Sequence, residues 1–456
     1  MPSDHLPSFL NRRPGQARFP RELVNKVIKE LDDEKGVLKQ CSLVAKSWDS
    51  EISPRLLRRV LWPPCATKVD ICEDTSADAT STPCKYATRS QNSFALCVEI
   101  LSLSSRLQRE VRELVCMPPN EKHGPIDDAR GALELKTFVQ IVNHLPHLES
   151  IDLQLVTLRA DAPLPSVETR RTLKKLSASS SSADWLWTLF PFLSSFERVQ
   201  HLVLTVYKSF PQGWPTDRAP SSKLAVEILE CNHRMEQPLA TSSLSFYAGL
   251  VHNLDLRALL RFVSNDLQPG FTGVISAAPA LESLGLHRSD RRLPLEVETI
   301  PPRLTSVDVG CTFAVHMGLV ILPSADGTWN SIWETLRAAV QFPIRSILVN
   351  VAFSFFQLAG VSNEDLYTQY EGALSQITQW QTAVQVLDDF GLLESIIFMV
   401  RFNVCQPVLP VRLKSIHVHE RQLASMQDTM NKGLPRRYGD ILHVKAADLE
   451  FEASLG

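Results

Sequence analysis

The chain has 456 residues, with 47 Lys plus Arg against 50 Asp plus Glu and a formal charge of -3. That is about three times the ~150 residues of one domain, so several domains or one repetitive array is expected. The near-neutral balance gives no whole-chain attraction to nucleic acid or anionic lipid, which leaves protein partners or none. Hydrophobic residues at 44% and charged residues at 21% exclude general disorder, a collagen-like chain and a disulfide scaffold.

Nine cysteines lack the tight paired spacing of a secreted framework and read as reduced, mostly buried thiols. The opening MPSDHLPSFLNRRPGQARF has no apolar core of about 7–15 residues before its arginines, so no secretory signal is expected. The uncharged run from Ser346 to Asn363 holds Asn350, Gln357 and three serines, short of the ~20 mostly apolar residues that span a bilayer. A soluble intracellular protein, cytoplasmic or nuclear and without membrane contact, is the expectation.

Residues 19–62 are dense in helix formers. In FPRELVNKVIKELDDEKG, Pro20 suits a first helical turn, Glu22 favours the positive helix end, and Leu23, Val27 and Leu31 recur on one face. Gly36 ends that helix. VLKQCSLVAKSW follows with Val37, Cys41, Val44 and Trp48 as a second stripe. Ser53 and Pro54 then have N-cap and first-turn character, and a third helix over Arg55 to Trp62 uses Leu56, Leu57, Val60 and Leu61. Such a bundle is too small to be stable alone, and Val24, Ile28, Leu38 and Leu43 lie outside the stripes, so it needs a surface to pack against.

Residues 63–93 end in the polar stretch EDTSADATSTPCKYATRSQNS and read as a linker or loop. From residue 94 to 456 a loose repeat follows. Short strands are predicted in 145–155, 196–206, 278–288, 300–310, 342–351, 390–400 and 410–420, several sharing one grammar: Pro, Phe or Gly, then a Leu, a polar pair usually ending in Ser, and an apolar burst. RTLKKLSAS (171–179) and SSLSFYAGL (242–250) are predicted as further strands. Leu286 to Val309 is 23 residues (309 − 286) and Phe398 to Val418 is 20 (418 − 398), within the roughly 20–29 residues of a leucine-rich repeat. Helices are predicted over 134–145, 254–265 and 329–342, with one long helix over 366–390. The expected fold class is α/β: an N-terminal three-helix module followed by an irregular leucine-rich-repeat-like solenoid, each unit covering its neighbour's apolar face.

Chemistry-bearing motifs are sparse. Cys65, Cys72 and Cys84 are too far apart for a zinc clamp, and the pairs His144/His147 and His417/His419 supply two ligands each, so no metal or other cofactor is expected. The sequence has no Gly-x-Gly-x-x-Gly, Walker lysine loop or Gly-x-Ser-x-Gly elbow, and Asp32/Asp33 and Asp388/Asp389 are adjacent instead of facing across a cleft. No catalytic residue is predicted. The basic end of the chain, 12 Lys plus Arg against 8 Asp plus Glu over residues 1–62 (12 − 8 = +4), leaves −7 for the rest (−3 − 4) and suits an acidic partner surface.

FPREL, CSLVAKSW and PRLLRRVLW together resemble an F-box, and the whole layout resembles the F-box and leucine-rich-repeat-like proteins abundant in basidiomycete fungi. Phe19 stands where the family usually has Leu. Pro20, Glu22, Leu23, Ile28 and Leu31 match the first helix, and Cys41, Leu43, Val44, Lys46 and Trp48 the middle segment. The resemblance implies a non-catalytic specificity subunit of a ubiquitin ligase. Phe19, Pro20, Glu22, Leu23, Ile28, Leu31, Cys41, Leu43, Val44 and Trp48 would dock a Skp-type adaptor and through it a cullin, and the array would hold a target protein. A leucine-rich-repeat scaffold outside ubiquitin ligases, with the helical module as its cap, is the alternative.

Overall fold

The computed structural model describes residues 58–62, 93–116, 133–156, 158–159, 171–180, 185–193, 195–206, 223–233, 240–265, 270–287, 299–316, 319–320, 324–356, 363–406, 412–416 and 418–447. They fall into two compact units that divide between Val156 and Thr157. Both are mixed α/β with parallel sheets.

The first unit contains β1 (Arg59–Trp62), α1 (Ser93–Leu103), α2 (Ser105–Glu110), β2 (Glu113–Cys116), β3 (Leu133–Glu134), α3 (Leu135–His144) and β4 (Ser150–Gln154). Strands β1, β2 and β4 run parallel in that order, with Arg59 beside Glu113 and Glu113 beside Ser150. A parallel pair needs a long crossover, and the helices supply it. Helix α3, within the predicted 134–145, turns Leu135, Phe138, Val139, Ile141 and Val142 inward. The predicted third helix over 55–62 is corrected at its end: Arg59-Val60-Leu61-Trp62 is a strand. Its β-branched and aromatic residues gain a full parallel ladder with β2, which outweighs local helix propensity.

The second unit begins with β5 (Leu158–Arg159), β6 (Arg171–Ser180), α4 (Trp185–Leu193), β7 (Phe196–Val206), β8 (Leu224–His233), α5 (Ala240–Asn253), β9 (Leu254–Asp255) and β10 (Arg261–Ser264). It continues with α6 (Phe271–Ser276), β11 (Ser283–His287), β12 (Ser306–His316), β13 (Leu319–Val320), α7 (Ala325–Arg337), β14 (Ser346–Phe356), α8 (Asn363–Ser375) and α9 (Gln381–Asp389). It ends with β15 (Ser395–Gln406), β16 (Arg412–Ile416), α10 (Glu420–Gly433) and β17 (Leu442–Ala446). The strand order is β6-β7-β8-β10-β11-β12-β14-β15, all parallel. β15 also pairs antiparallel with β16 and parallel with β17.

The polar pair of the sequence grammar has a physical role. The Leu260 carbonyl accepts from the amides of Glu282 (2.9 Å) and Ser283 (3.1 Å), that of Glu282 from Thr305 and Ser306, that of Thr305 from Arg345 and Ser346, and that of Arg345 from Glu394 and Ser395. One carbonyl takes two consecutive amides of the next strand's first residues, using both its lone pairs. Ser283, Ser306, Ser346 and Ser395 therefore sit side by side at the start of four adjacent strands. The first unit repeats the device: Arg58 O accepts from Arg112 and Glu113, and Arg112 O from Glu149 and Ser150.

Along β12, β14 and β15 the buried set alternates: Val307 and Val309, then Ile347 and Val349, then Ile396 and Phe398. In β6, β7 and β8 it passes from Leu173, Val199 and Val226 to Leu176, Leu202 and Leu229, three positions on instead of two. All three strands thus take in one extra residue at the same level. Among the described residues, helix rings meet this apolar face: Tyr247 on Phe262, Trp329 on Phe398, and Tyr370 on Phe353 and Phe402.

Three further expectations are corrected. Residues 254–265, predicted helical, form β9, a 3-10 turn capped by Asp255 (Arg257 N to Oδ1, 3.2 Å) and β10. Phe262 then alternates with Val263 as a strand requires, and Leu260, placed on the supposed helix stripe, is exposed. Residues 242–250, predicted as a strand, lie inside α5, where Phe246, Tyr247 and Leu250 share one buried face at helical spacing. The predicted long helix over 366–390 is two helices, α8 and α9. Asp326, in the first turn of α7, captures the chain between them by accepting from Thr378 N (2.7 Å), Thr378 Oγ1 (2.8 Å) and Gln379 N (3.0 Å).

Burial works to raise the Asp326 carboxyl, but the Gln379 and Thr378 amides and the Thr378 hydroxyl outweigh it and hold it below its ordinary 3.8. A lowered native value means stability that is present above the unfolded value and lost as pH falls through the native one. Asp326→Asn is expected to destabilise by about 1 kcal/mol at neutral pH, the tie being part-exposed. The gap to wild type in the urea midpoint should shrink below about pH 4. A gap that is constant with pH would remove the charge from this account.

Candidate functional site

The strand faces opposite the helices carry the polar chemistry of the second unit. Strand alternation places Glu230 of β8, Arg261 of β10, Asp308 of β12 and Asn350 of β14 on this open face. In register it reads Ser177, Val203, Glu230, Val263, Gly285, Asp308, Leu348 and Ile397 from β6 to β15.

Asp308 is 2% exposed, yet it lies between two valines in a strand. Its carboxylate is held at both oxygens: Arg261 Nη2 donates to Oδ2 at 2.7 Å and Asn350 Nδ2 to Oδ1 at 2.5 Å. Arg261 starts two strands away and reaches across β11, where the face presents only Ser283 and Gly285. At Gly285 a Cβ would lie 2.8 Å from Val263 Cγ2, so the neighbouring strand's side chain occupies the space that any larger residue would need. Glu230, 7% exposed, forms a second centre: Asn232 Nδ2 donates to its Oε1 at 2.7 Å, and His201 Nε2 lies 3.5 Å from its Oε2. Buried carboxylates are tolerated when partnered in this way.

Towards the last strands the face changes sign. Arg401 of β15 is half-buried, and its Nε is shielded from solvent without a hydrogen-bond partner among the described residues. Lys445 of β17 stands exposed beside Met399.

A shallow cleft of about 500 Å3 lies elsewhere, lined by Lys223, Leu254, Asp255, Arg257 and Ala277 among others. Its polar groups are engaged locally. Arg257 donates to both Asp255 oxygens (2.8 and 2.7 Å), holding that carboxyl below its ordinary value, and Lys223 Nζ donates to Val251 O. Burial pushes the Cys97 thiol up to about 12 and raises the Cys116 and Cys231 thiols well above their ordinary value, so all three stay protonated at neutral pH. Among the described residues no group of three or more His, Cys, Asp or Glu could hold a metal ion. His144 ends α3 and His419 is the N-cap of α10, not a strand residue as predicted; His417, Cys65, Cys72 and Cys84 lie outside the described residues.

All ten predicted adaptor-binding residues, Phe19, Pro20, Glu22, Leu23, Ile28, Leu31, Cys41, Leu43, Val44 and Trp48, likewise lie outside the described residues. The open-face network was not singled out from the sequence. A signal for it exists: a charged or amide residue flanked by apolar ones, as in Leu229-Glu230-Cys231, Val307-Asp308-Val309, Val349-Asn350-Val351 and Val400-Arg401-Phe402. No protein-family model matches the chain, and no curated protein matches it.

Asp308→Ala leaves Arg261 without its carboxylate and is expected to destabilise by about 2–3 kcal/mol in urea titration. Adding Arg261→Met should recover part of that loss, because the stranded charge goes too. Strictly additive losses would show that the two side chains are not coupled.

Proposed function

We propose that this chain is the substrate-recognition subunit of a Skp/cullin/F-box-type ubiquitin ligase. The observation that carries the reading is the pairing of Phe19-Pro20-x-Glu22-Leu23 with Cys41-Ser-Leu43-Val44-x-x-x-Trp48, a combination of two motifs at F-box spacing. The module docks the adaptor, and its +4 charge speeds association with an acidic surface. It ends before Arg59, which belongs to a sheet strand. The strands that follow act as a leucine-rich-repeat-like array. In-register serines, paired amides on one carbonyl and helices on one face support that reading. The open polar face holds the target protein, and ubiquitin transfer belongs to other subunits. No helix among the described residues is long and apolar enough to cross a membrane; an intracellular ligase subunit fits that fact.

One observation favours a second reading, a repeat scaffold capped by its N-terminal module: residues 59–62 are themselves a strand paired to β2, as a cap on a sheet would be. Co-purification separates the two. The full-length chain is expected to retain a Skp-type adaptor, and Leu23→Asp with Val44→Asp to lose it. Equal retention by the variant, or none by wild type, removes the ligase reading and leaves the scaffold.

A further inference from the structure

Arg261 and Arg401 lie on the same open face of the second unit, and their surroundings differ. Arg261 meets a carboxylate at 2.7 Å. Arg401 meets none: it is half-buried, its Nε is out of solvent, and among the described residues its side chain forms no ion pair or hydrogen bond. Arg261 Nε is equally out of solvent without a hydrogen-bond partner among the described residues, so what sets Arg401 apart is the missing counter-charge, which is unfavourable for a half-buried cation in the isolated fold.

The shortage of acid extends around it. Strands β14 (SILVNVAFSFF), β15 (SIIFMVRFNVCQ) and β17 (LHVKA) contain no Asp or Glu. The nearest acid on this face by register, Asp308, belongs to β12, two strands away, and is already held by Arg261 and Asn350. A second cation stands close by, since Lys445 is in register with Met399, two residues from Arg401 on the same face. Beside Arg401 the register places Ala352, too small to cover the guanidinium, and beyond it Thr312, which is exposed. One step further along, Ser354 pairs with Asn403. Two cations with neutral hydrogen-bonding side chains around them, and no acid in register with them among the described residues, make a site complementary to carboxylates.

We propose that Arg401 and Lys445 bind an acidic peptide segment, rich in Asp or Glu, of the target protein. The planar guanidinium takes one carboxylate through two parallel N–H bonds, Lys445 takes a neighbouring one as a point charge, and Thr312 and Asn403 serve the peptide's own polar groups. Nucleic acid is the less fitting polyanion. Its binding needs a row of phosphate contacts, whereas this end of the face shows two cations among the described residues, and the chain carries a net −3. The inference rests on the open face being the target-binding surface, and it is independent of adaptor docking.

The test uses the full-length chain and fluorescence anisotropy with labelled decaglutamate, decaglutamine and decathymidylate. Decaglutamate is expected to bind saturably and more weakly as salt rises, and decaglutamine not to bind. Arg401→Ala should weaken decaglutamate binding about tenfold, Lys445→Ala less, and Arg109→Ala, on α2 of the first unit, not at all. Arg401→Ala should also keep or raise the unfolding temperature, since it removes an uncompensated charge, whereas a structural arginine would lower it. If that variant does not fold, Arg401→Lys, which keeps the charge and loses the fork, should bind between wild type and Lys445→Ala. Unchanged binding by the arginine variants, tighter binding of decathymidylate than of decaglutamate, or no binding of decaglutamate overturns the proposal. Adaptor retention by the same samples keeps the outcomes apart: a chain that holds the adaptor and ignores decaglutamate defeats this inference alone.

Discussion

Parallel strands cannot be joined by a tight turn, and most of this structure follows from that constraint. Each strand must return over a long connection, here usually a helix, and α5, α7 and α8 pack on the same face of the second unit's strands. Period-two alternation then gives every strand two different environments. Val307, Val349 and Phe398 are buried under the helices, while Asp308, Asn350 and Met399 face the other way. Pairing of one carbonyl with two amides at the strand starts fixes the register, and a one-residue slip would bring the carboxylate of Asp308 under Trp329 and its neighbours.

The same alternation explains what was legible in the sequence. The bursts at 196–206, 306–310, 346–351 and 395–400 are strands because β-branched and aromatic residues recur at period two within a fixed Leu-polar-Ser frame. The errors share one cause, an apolar spacing that suits more than one structure. Leu256, Leu259, Leu260 and Val263 fit a helix stripe until Asp255 closes a turn and β8 and β11 offer ladders on both sides. Arg55 to Trp62 fits a helix until β2 takes its last four residues. The break in 366–390 depends on Asp326, some fifty residues earlier, which no local window includes. The open-face network is non-local in the same way: Arg261 and Asp308 are 47 positions apart and become neighbours only because β11 is short of side chains between them.

Burying Asp308 and Glu230 is not an economical way to stabilise a sheet, since well-packed apolar residues usually do as well or better than a buried ion pair. Their effect is on geometry. Asp308 fixes one end of Arg261 and one end of Asn350, tying β10, β12 and β14 through side chains across the open face. Rigid polar groups on a rigid sheet meet a partner with little further ordering to lose, and such preorganisation raises affinity without added contacts.

The two arginines sharpen that distinction. Both lie on a strand's open face and both are half-buried. If open-face charge existed only to organise the sheet, each would have an internal carboxylate, as Arg261 does. Arg401 instead has Ala352 and Thr312 beside it in register, with Lys445 near, so among the described residues its register neighbours supply no negative charge and one further positive one. A fold that gives one cation a carboxylate and leaves another of the same kind beside a second cation concentrates positive charge at one end of the face, which is where the proposed acidic segment would bind.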